Sequence, residues 1–140
     1  MLDWKIFAIG SAFFAGLTAV LAKVGVKDVP SNLATLIRTI VIIIFLFLLV
    51  GIRHEWKNPL MLNRRCLVFL VLSGITTGLS WLCYYRALQS GPASVVAPID
   101  KLSLAIAILL SVVFLGEQLN MYQWFGAGLI VAGTFVMIFK

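Results

Sequence analysis

The chain has 140 residues, of which 62% are apolar and 11% are charged, and its formal net charge is +6. Soluble domains are roughly 45–50% apolar and about 25% charged, so this composition excludes an ordinary soluble protein. The apolar residues form long blocks with most of the cations between them, which is the charge pattern of membrane proteins and not of nucleic-acid-binding proteins. Lipid accommodates such blocks as helices, whose backbone hydrogen bonds are satisfied internally. We therefore predict an all-α integral membrane protein.

Five hydrophobic blocks follow one another, each of roughly the 20 residues that cross a hydrocarbon core of about 30 Å. They predict helices over about residues 4–24, 31–52, 66–88, 93–115 and 121–139, in a single transmembrane domain that covers residues 1–140. The connections are short and contain turn residues such as Gly91-Pro92 and Gly116-Glu117. The first block is too long for the apolar region of a signal peptide, and four more blocks follow it, so we predict that it is retained.

The first two blocks each contain polar residues, and those of the second block share one helix face. Thr18 lies in the first block, and Ser31, Thr35 and Arg38 have i, i+4, i+7 spacing in the second, which places them on a common face. Arg38 is seven residues into its block, about 10 Å deep at 1.5 Å per residue. An ionisable side chain within a membrane span is a functional hypothesis by default. The alternative is that the long Arg38 side chain extends to the interface.

The third block has the same kind of polar face, formed by Ser73, Thr77, Ser80 and Tyr84. These side chains either line a pathway or only hydrogen-bond their neighbours, as Ser and Thr often do in membrane helices. The block runs opposite to the second, so Ser80 and Tyr84 are expected near the depth of Arg38.

The fourth block contains Pro98, Asp100 and Lys101. A proline within a helix removes one hydrogen bond, so we predict kinked or irregular backbone between Ala97 and Lys101. Interrupted helices recur at the binding sites of transporters; a kink that serves packing alone is the alternative. Asp100 is as deep in this block as Arg38 is in the second, and both blocks start from the same side. An Arg38–Asp100 ion pair is therefore geometrically possible.

Together these positions form one candidate substrate pathway with a helix break beside it. Its predicted residues are Thr18, Thr35, Arg38, Ser80, Tyr84, Asp100 and Lys101, and the break is at Pro98. The sequence contains no metal-ligand cluster, no phosphate-binding loop and no arrangement of a nucleophile with a base. We therefore predict neither an enzyme nor a bound metal or cofactor.

Two segments carry a family resemblance. The run SWLCYYRALQSGPASVVAPIDKLS (80–103) with FLGE (114–117), and the run FFAGLTAVLAKVGVKDVPSNLATLIRT (13–39), resemble the EamA repeat of the drug/metabolite transporter superfamily. Full-size members have two such repeats of opposite topology with the substrate cavity between them, and this chain is similar to the half-size bacterial and archaeal members. The likeness implies transport. The small multidrug-resistance proteins, which have a similar size, carry an acidic residue in the first helix, and here residues 4–22 contain none.

The resemblance and the residues together predict a secondary transporter of a small polar or anionic metabolite. We expect it in the cytoplasmic membrane as a homodimer, which would supply the helix number of full-size relatives; the alternative is a non-transporting subunit that packs against a partner membrane protein. An odd number of crossings puts the two termini on opposite sides. The cations on the N-terminal side are Lys5, Arg53, Lys57, Arg64 and Arg65, and those on the other side are Lys23, Lys27, Arg86 and Lys140.

This nearly even distribution of cations gives only a weak orientation preference. Insertion with the N-terminus inside and dual topology, which would permit an antiparallel homodimer, therefore both stay open. A parallel dimer and a pairing with another half-size subunit are the competing assemblies.

Overall fold

The computed structural model describes residues 3–58 and 61–138, and these residues are largely helical. The helices are α1 Trp4–Gly25, α2 Ser31–Ile52, α3 Arg64–Ser90, α4 Ala93–Asp100, α5 Leu102–Leu115 and α6 Met121–Ile138. Five stretches within the described residues are long and apolar enough to cross a membrane, and α4 with α5 makes up one of them, Ala93–Leu115. The predicted all-α fold with five membrane-spanning helices is confirmed.

The helix ends differ from the predicted ones where polar residues continue a helix beyond its apolar block. α3 is longer than the predicted 66–88 at both ends, and α1 continues to Gly25. The side chain of Asn63 accepts a hydrogen bond of 2.9 Å from the backbone N–H of Arg65, which is N-terminal capping ahead of the apolar residues. Hydropathy marks where lipid-compatible side chains begin and does not register such caps. Phe139, the last residue of the predicted fifth helix, lies outside the described residues.

The chain forms two compact units. One comprises Ala22–Gln89, with the last turn of α1, all of α2 and most of α3; we call it the α2–α3 unit. The other comprises the chain up to Leu21 together with the chain from Ser90 onward; we call it the α4–α6 unit.

Side chains near the end of α3 hold the α1–α2 connection within the α2–α3 unit. The Gln89 amide donates hydrogen bonds to the carbonyl oxygens of Val26, at 3.2 Å, and Val29, at 2.7 Å. The Lys23 ammonium donates to the carbonyl oxygen of Leu88, at 2.5 Å. A cation is favourable beside the last carbonyls of a helix, where the helix dipole is negative. Leu88 and Val26 are 0% and 1% exposed, so this junction contains the most deeply buried side chains among the described residues of the unit.

The α4–α6 unit brings α4 and α5 against α6. α5 ends at Gly116, whose φ of 68° is the left-handed conformation that glycine adopts without steric cost. α6 begins with a reciprocal cap: the Asn120 side chain accepts from the Gln123 N–H at 2.9 Å, and the Gln123 side chain accepts from the Asn120 N–H at 2.8 Å. These two features mark the end of α5 and the start of α6.

Candidate substrate site

Arg38 lies in α2, and its guanidinium lies over an aromatic ring of α3. The guanidinium carbon is 3.8 Å from the ring centroid of Trp81 and 5.6 Å from that of Tyr85. Trp81 and Tyr85 are four residues apart on α3 and therefore share one face of that helix. A cation within about 6 Å of a ring centroid is attracted by the electron-rich ring face. The contacts are therefore cation–π interactions inside an otherwise apolar span.

No carboxylate accompanies this arginine in its own unit. The acidic residues of the α2–α3 unit are Asp28 and Glu55, both outside the helices, and Glu55 lies 3.9 Å from Arg53. Among the described residues of Ala22–Gln89, nothing forms an ion pair or a hydrogen bond with the Arg38 guanidinium; its contacts there are with rings. The helices of the unit thus hold an uncompensated positive charge at this position.

The polar residues around Arg38 are bonded largely within their own helices. Thr35, which is buried, donates its hydroxyl hydrogen to the Ser31 carbonyl at 2.9 Å, and Thr39 donates to the Thr35 carbonyl at 2.8 Å. On α3, Tyr84 is half-buried and its ring meets that of Tyr85 edge-on, with centroids 6.4 Å apart, whereas Ser80 is exposed. The hydroxyl groups of Thr35 and Thr39 thus bond to neighbours in their own helix, which is the alternative to lining a pathway that the sequence left open.

A groove of about 380 Å³ lies beside this face, within the same unit. Its lining comes from the start of α2 and from the C-terminal half of α3: Ser31, Asn32, Leu82, Cys83 and Arg86. The groove therefore combines hydroxyl, amide and guanidinium groups with apolar side chains, which is the mixture found in sites for small polar ligands.

The α4–α6 unit contains a second polar position, where the fourth span is interrupted. α4 ends at Asp100 and α5 begins at Leu102, with Pro98 inside the last turn of α4. The Lys101 N–H donates to the Pro98 carbonyl at 2.9 Å, three residues back, so the turn is tighter than an α-helix. The buried Thr134 of α6 donates its hydroxyl hydrogen to Ile130 O at 2.9 Å, and its oxygen lies 3.4 Å from Pro98 O. A polar side chain thus meets the backbone at the break.

The two charged residues at the break lie next to each other. Lys101 Nζ is 3.8 Å from Asp100 Oδ2, and the two side chains are 48% and 38% exposed. Adjacent residues in a continuous helix point about 100° apart. At the break between α4 and α5 their side chains nevertheless come within ion-pair distance.

The predicted pathway residues are divided between the two units. Thr35, Arg38, Ser80 and Tyr84 belong to the α2–α3 unit, whereas Asp100, Lys101 and Thr18, which is half-buried, belong to the α4–α6 unit. The Arg38–Asp100 ion pair stays a prediction, as does the pathway role of each of these residues.

Three residues with site contacts were missing from the predicted set: Trp81, Tyr85 and Thr134. Trp81, Tyr85 and Leu88 have i, i+4, i+7 spacing, which is a detectable face of α3. That spacing marks a face without indicating that Arg38 would lie over it. Thr134 is isolated in an apolar helix, and no sequence pattern connects it with Pro98.

Comparison with known proteins identifies the family to which the chain belongs. The EamA-like transporter family is matched over residues 3–139. This chain is an EamA-like transporter. It is 47% identical over 135 residues to a Sinorhizobium protein described as an uncharacterized transporter in the cobO 3′ region, with 96% of each chain covered. It is 29% identical over 126 residues to an uncharacterized protein of Methanocaldococcus jannaschii, with 90% and 89% covered.

A shorter similarity connects this EamA-like chain with a flippase subunit. The Pectobacterium atrosepticum protein described as probable 4-amino-4-deoxy-L-arabinose-phosphoundecaprenol flippase subunit ArnE is 27% identical over 84 residues, which are 59% of this chain and 74% of that one. No solved structure matches the chain. The family and the five spans establish a multi-pass membrane transporter.

Proposed function

We propose that this EamA-like chain is a secondary transporter that moves a small polar or anionic metabolite across the cytoplasmic membrane by alternating access. The observation that carries the substrate class is Arg38, a cation within a membrane span whose contacts in its unit are aromatic rings. A substrate that bears negative charge would neutralise the positive charge of Arg38.

The magnitudes favour an anionic ligand over a purely structural role. An arginine at the centre of a membrane helix costs about 2.5–3.5 kcal/mol on insertion scales, which is an upper limit for Arg38, the eighth residue of the 22-residue α2 helix. A cation–π contact returns about 0.5–2 kcal/mol, depending on how far it is desolvated. Trp81 therefore offsets part of the cost of Arg38 and leaves a remainder that a carboxylate or phosphate of the substrate would offset.

The helix break supports transport by alternating access. Discontinuous membrane helices expose backbone groups to substrates, and the parts on either side of the break can move relative to each other. The α4–α5 break has Asp100 and Lys101 beside it and Thr134 against its Pro98 carbonyl. We therefore propose that Asp100 and Lys101, with Thr18, Thr35, Ser80 and Tyr84, belong to the pathway.

We further propose that the working unit is a homodimer of five-helix subunits that is antiparallel through dual topology. Five helices enclose little space, and the cations are distributed almost evenly between the two sides. A two-fold axis in the membrane plane would generate the inverted pair of repeats that supports alternating access. A parallel dimer and a heterodimer with another half-size subunit are the competing assemblies.

The second candidate function is that of a membrane subunit that packs against a partner and carries no substrate alone. The observation that favours it is the likeness to ArnE, which is described as a flippase subunit. The same description names a phosphate-bearing lipid as the flippase substrate, which is compatible with an anion at Arg38. The two functions therefore differ in whether this chain transports a substrate without a partner protein, and not in the charge of the substrate.

Flux through vesicles that contain this chain alone separates the two functions. The purified natural chain would be reconstituted into liposomes and tested for uptake and counterflow of radiolabelled carboxylates and phosphate esters, with neutral and cationic compounds of similar size beside them. We expect saturable flux of an anionic compound that exceeds empty liposomes at least tenfold. Flux that requires a co-reconstituted second half-size protein would identify the chain as a subunit, and preference for a cation would contradict the proposed substrate class.

Labelling at the α1–α2 connection tests the orientation. Asp28 is exposed in that connection, and Asp28→Cys alters no Lys or Arg and so preserves the charges that decide topology. The native Cys66 and Cys83 would be replaced by serine. In cells that express the functional protein without partners, we expect an impermeant maleimide to label about half of the molecules from outside. Labelling of nearly all or nearly none would rule out dual topology.

A further inference from the structure

We propose that Arg38 and Trp81 form a binding site for an oxoanion, a carboxylate or a phosphate group, in which Arg38 binds the ligand and Trp81 is a positioning residue for the guanidinium. The inference rests on the proposed transport function and narrows its substrate class from polar or anionic to compounds that carry such a group. It assigns to Trp81 the role of orienting the Arg38 guanidinium, in addition to the apolar packing that any large hydrophobic residue would provide.

The geometry of the contact favours oxygen anions with two acceptor atoms. The guanidinium carbon is 3.8 Å from the Trp81 centroid, which is van der Waals contact with the ring face. The ring covers a face of the planar group, whereas the five N–H donors lie along its edges. Edge donors in a fixed fork match the two oxygens of a carboxylate or phosphate and form paired hydrogen bonds. An ammonium group has no such plane to orient.

The second ring limits where the guanidinium can go. Tyr85 is 4% exposed and its centroid is 5.6 Å from the guanidinium carbon, so a buried ring lies one helical turn beyond Trp81. Immobilising a long side chain before the ligand arrives removes part of the ordering cost of binding. Trp81 is therefore expected to strengthen binding without contributing charge or a hydrogen bond to the ligand.

The charges of the helices in the α2–α3 unit disfavour a cationic ligand at this position. The helical residues of the α2–α3 unit, 22–25, 31–52 and 64–89, contain no Asp or Glu. Another cation of the unit, Lys23, donates a hydrogen bond to the Leu88 carbonyl at the end of α3. Since no carboxylate of these helices competes for Arg38, an oxoanion meets attraction there, whereas a cation meets repulsion.

Equilibrium dialysis of the purified full chain in detergent tests the site directly. The probes are radiolabelled inorganic phosphate and radiolabelled benzoate, with tetramethylammonium as the cationic control and chloride to match the ionic strength. We expect saturable binding of at least one of the two oxoanions and no saturable binding of tetramethylammonium. The absence of saturable binding for both oxoanions would overturn the proposal.

Three variants separate charge from geometry. Arg38→Lys keeps the charge and loses the planar fork, and we expect binding to weaken about tenfold, as the loss of one charge-assisted hydrogen bond would produce. Trp81→Leu keeps the charge and the fork and loses the ring, with an expected weakening of about threefold to tenfold; Trp81→Phe keeps a ring face and should lie between Trp81→Leu and the natural chain. Arg53→Lys is the matched control, because Arg53 follows α2 and its side chain is 65% exposed.

The affinities of the variants relative to the natural chain decide whether the proposed roles of Arg38 and Trp81 are correct. If Arg38→Lys binds as tightly as the natural chain, the site recognises a point charge and the proposed geometry is wrong. If Trp81→Leu binds as tightly, Trp81 has no positioning role. Thermal unfolding and circular dichroism would verify that each variant is folded; should Trp81→Leu fail this check, Trp81→Phe and Trp81→Tyr take its place.

A fluorescence measurement locates the bound anion. With Trp4, Trp56 and Trp124 replaced by phenylalanine, the emission comes from Trp81, and we expect it to change with the same midpoint as the dialysis curve. A flat signal during saturable binding would place the anion elsewhere and overturn the assignment.

This experiment and the vesicle experiment fail independently. Oxoanion binding that depends on Arg38 and Trp81, without flux, would leave the site in place and remove autonomous transport. Flux of a polar compound with no oxoanion binding would leave transport in place and remove the site.

Discussion

Arg38 and Lys101 are two cations within membrane spans, and the protein accommodates them in different ways. Lys101 lies at a helix break, 3.8 Å from the carboxylate of its neighbour Asp100. Arg38 lies inside the continuous α2 helix and has aromatic rings as its contacts within its unit. One charge therefore has an opposite charge beside it, and the other lies against two aromatic rings of its own unit.

The difference teaches how to separate a charge that serves stability from one that awaits a ligand. An ion pair is close to electrically neutral, so removing one member leaves the other with an uncompensated charge. A cation on a ring retains its full charge, so removing it relieves an electrostatic cost. The two positions are thus expected to respond to substitution with opposite changes in stability, although both are proposed to serve transport.

The largest effect is expected for Lys101→Leu, which damages both stability and function. The substitution leaves Asp100 without its neighbouring cation, which should lower the free energy of unfolding by up to about 1 kcal/mol, because both side chains are more than a third exposed. We also expect transport in reconstituted vesicles to fall to background while the protein remains inserted. Thermal unfolding and flux would be measured on the same preparation, with Lys57→Leu in the α2–α3 connection as the control. Flux equal to that of the natural chain would remove Lys101 from the pathway.

Arg38→Leu is expected to reduce flux at least tenfold without a loss of stability. The change removes an insertion cost of at most about 2.5–3.5 kcal/mol and a cation–π contribution of about 0.5–2 kcal/mol, so the difference is close to zero or favours the variant. The unfolding midpoint of the ligand-free protein should therefore stay constant or rise, with Arg53→Leu as the control. A clear fall in the midpoint would show that Arg38 has a stabilising partner and would end the contrast with Lys101.

A charge exchange between Arg38 and Asp100 tests whether such a partner exists. If the two residues pair in the working protein, Arg38→Asp combined with Asp100→Arg should recover part of the flux that each single change removes. The coupling energy from the double-mutant cycle would then exceed about 0.5 kcal/mol. Additive effects of the two changes would show that they act independently and would strengthen the case for a ligand at Arg38.

The smallest effect is expected at the backbone of the break. Thr134→Val removes the hydroxyl that lies 3.4 Å from the Pro98 carbonyl and 2.9 Å from that of Ile130. Hydrogen bonds between membrane helices contribute about 0.6 kcal/mol on average, so the loss should be of that size and the flux should change about twofold. Thr39→Val is the matched control, because Thr39 donates to Thr35 within the same helix. Equal effects of both substitutions would assign no special role to the contact at the break.

Much of the fold follows from local patterns in the sequence. Each span is an uninterrupted run of lipid-compatible residues, and hydropathy is a property of a short window, so the five spans are readable without knowledge of their neighbours. The positions of Arg38, Asp100 and Lys101 within spans are equally local. Pro98 predicts irregular backbone by its own chemistry, since it has no N–H to donate, and the structure has α4 ending two residues later.

The ends of α3 were less accessible to sequence reasoning. Arg64 and Arg65 are polar and look like connection residues, yet they belong to the helix because Asn63 caps it. Lys23 likewise resembles an interfacial cation, and its ammonium instead donates to Leu88 O. In both cases a hydrogen-bond partner, and not the apolar character of the residue, decides its place.

The contacts at the candidate site depend on how the helices pack. The sequence determines that α2 carries an arginine and that α3 carries a tryptophan and a tyrosine on one face. A short window of sequence does not reveal how far each helix is rotated about its own axis relative to the other. The few buried apolar residues of the α2–α3 unit, Val26, Leu88 and Tyr85 among them, contribute to the packing on which that rotation depends. Because such packing sums many small contacts between residues far apart in the chain, the meeting of Arg38 with Trp81, and of Thr134 with the Pro98 carbonyl, emerges only in three dimensions.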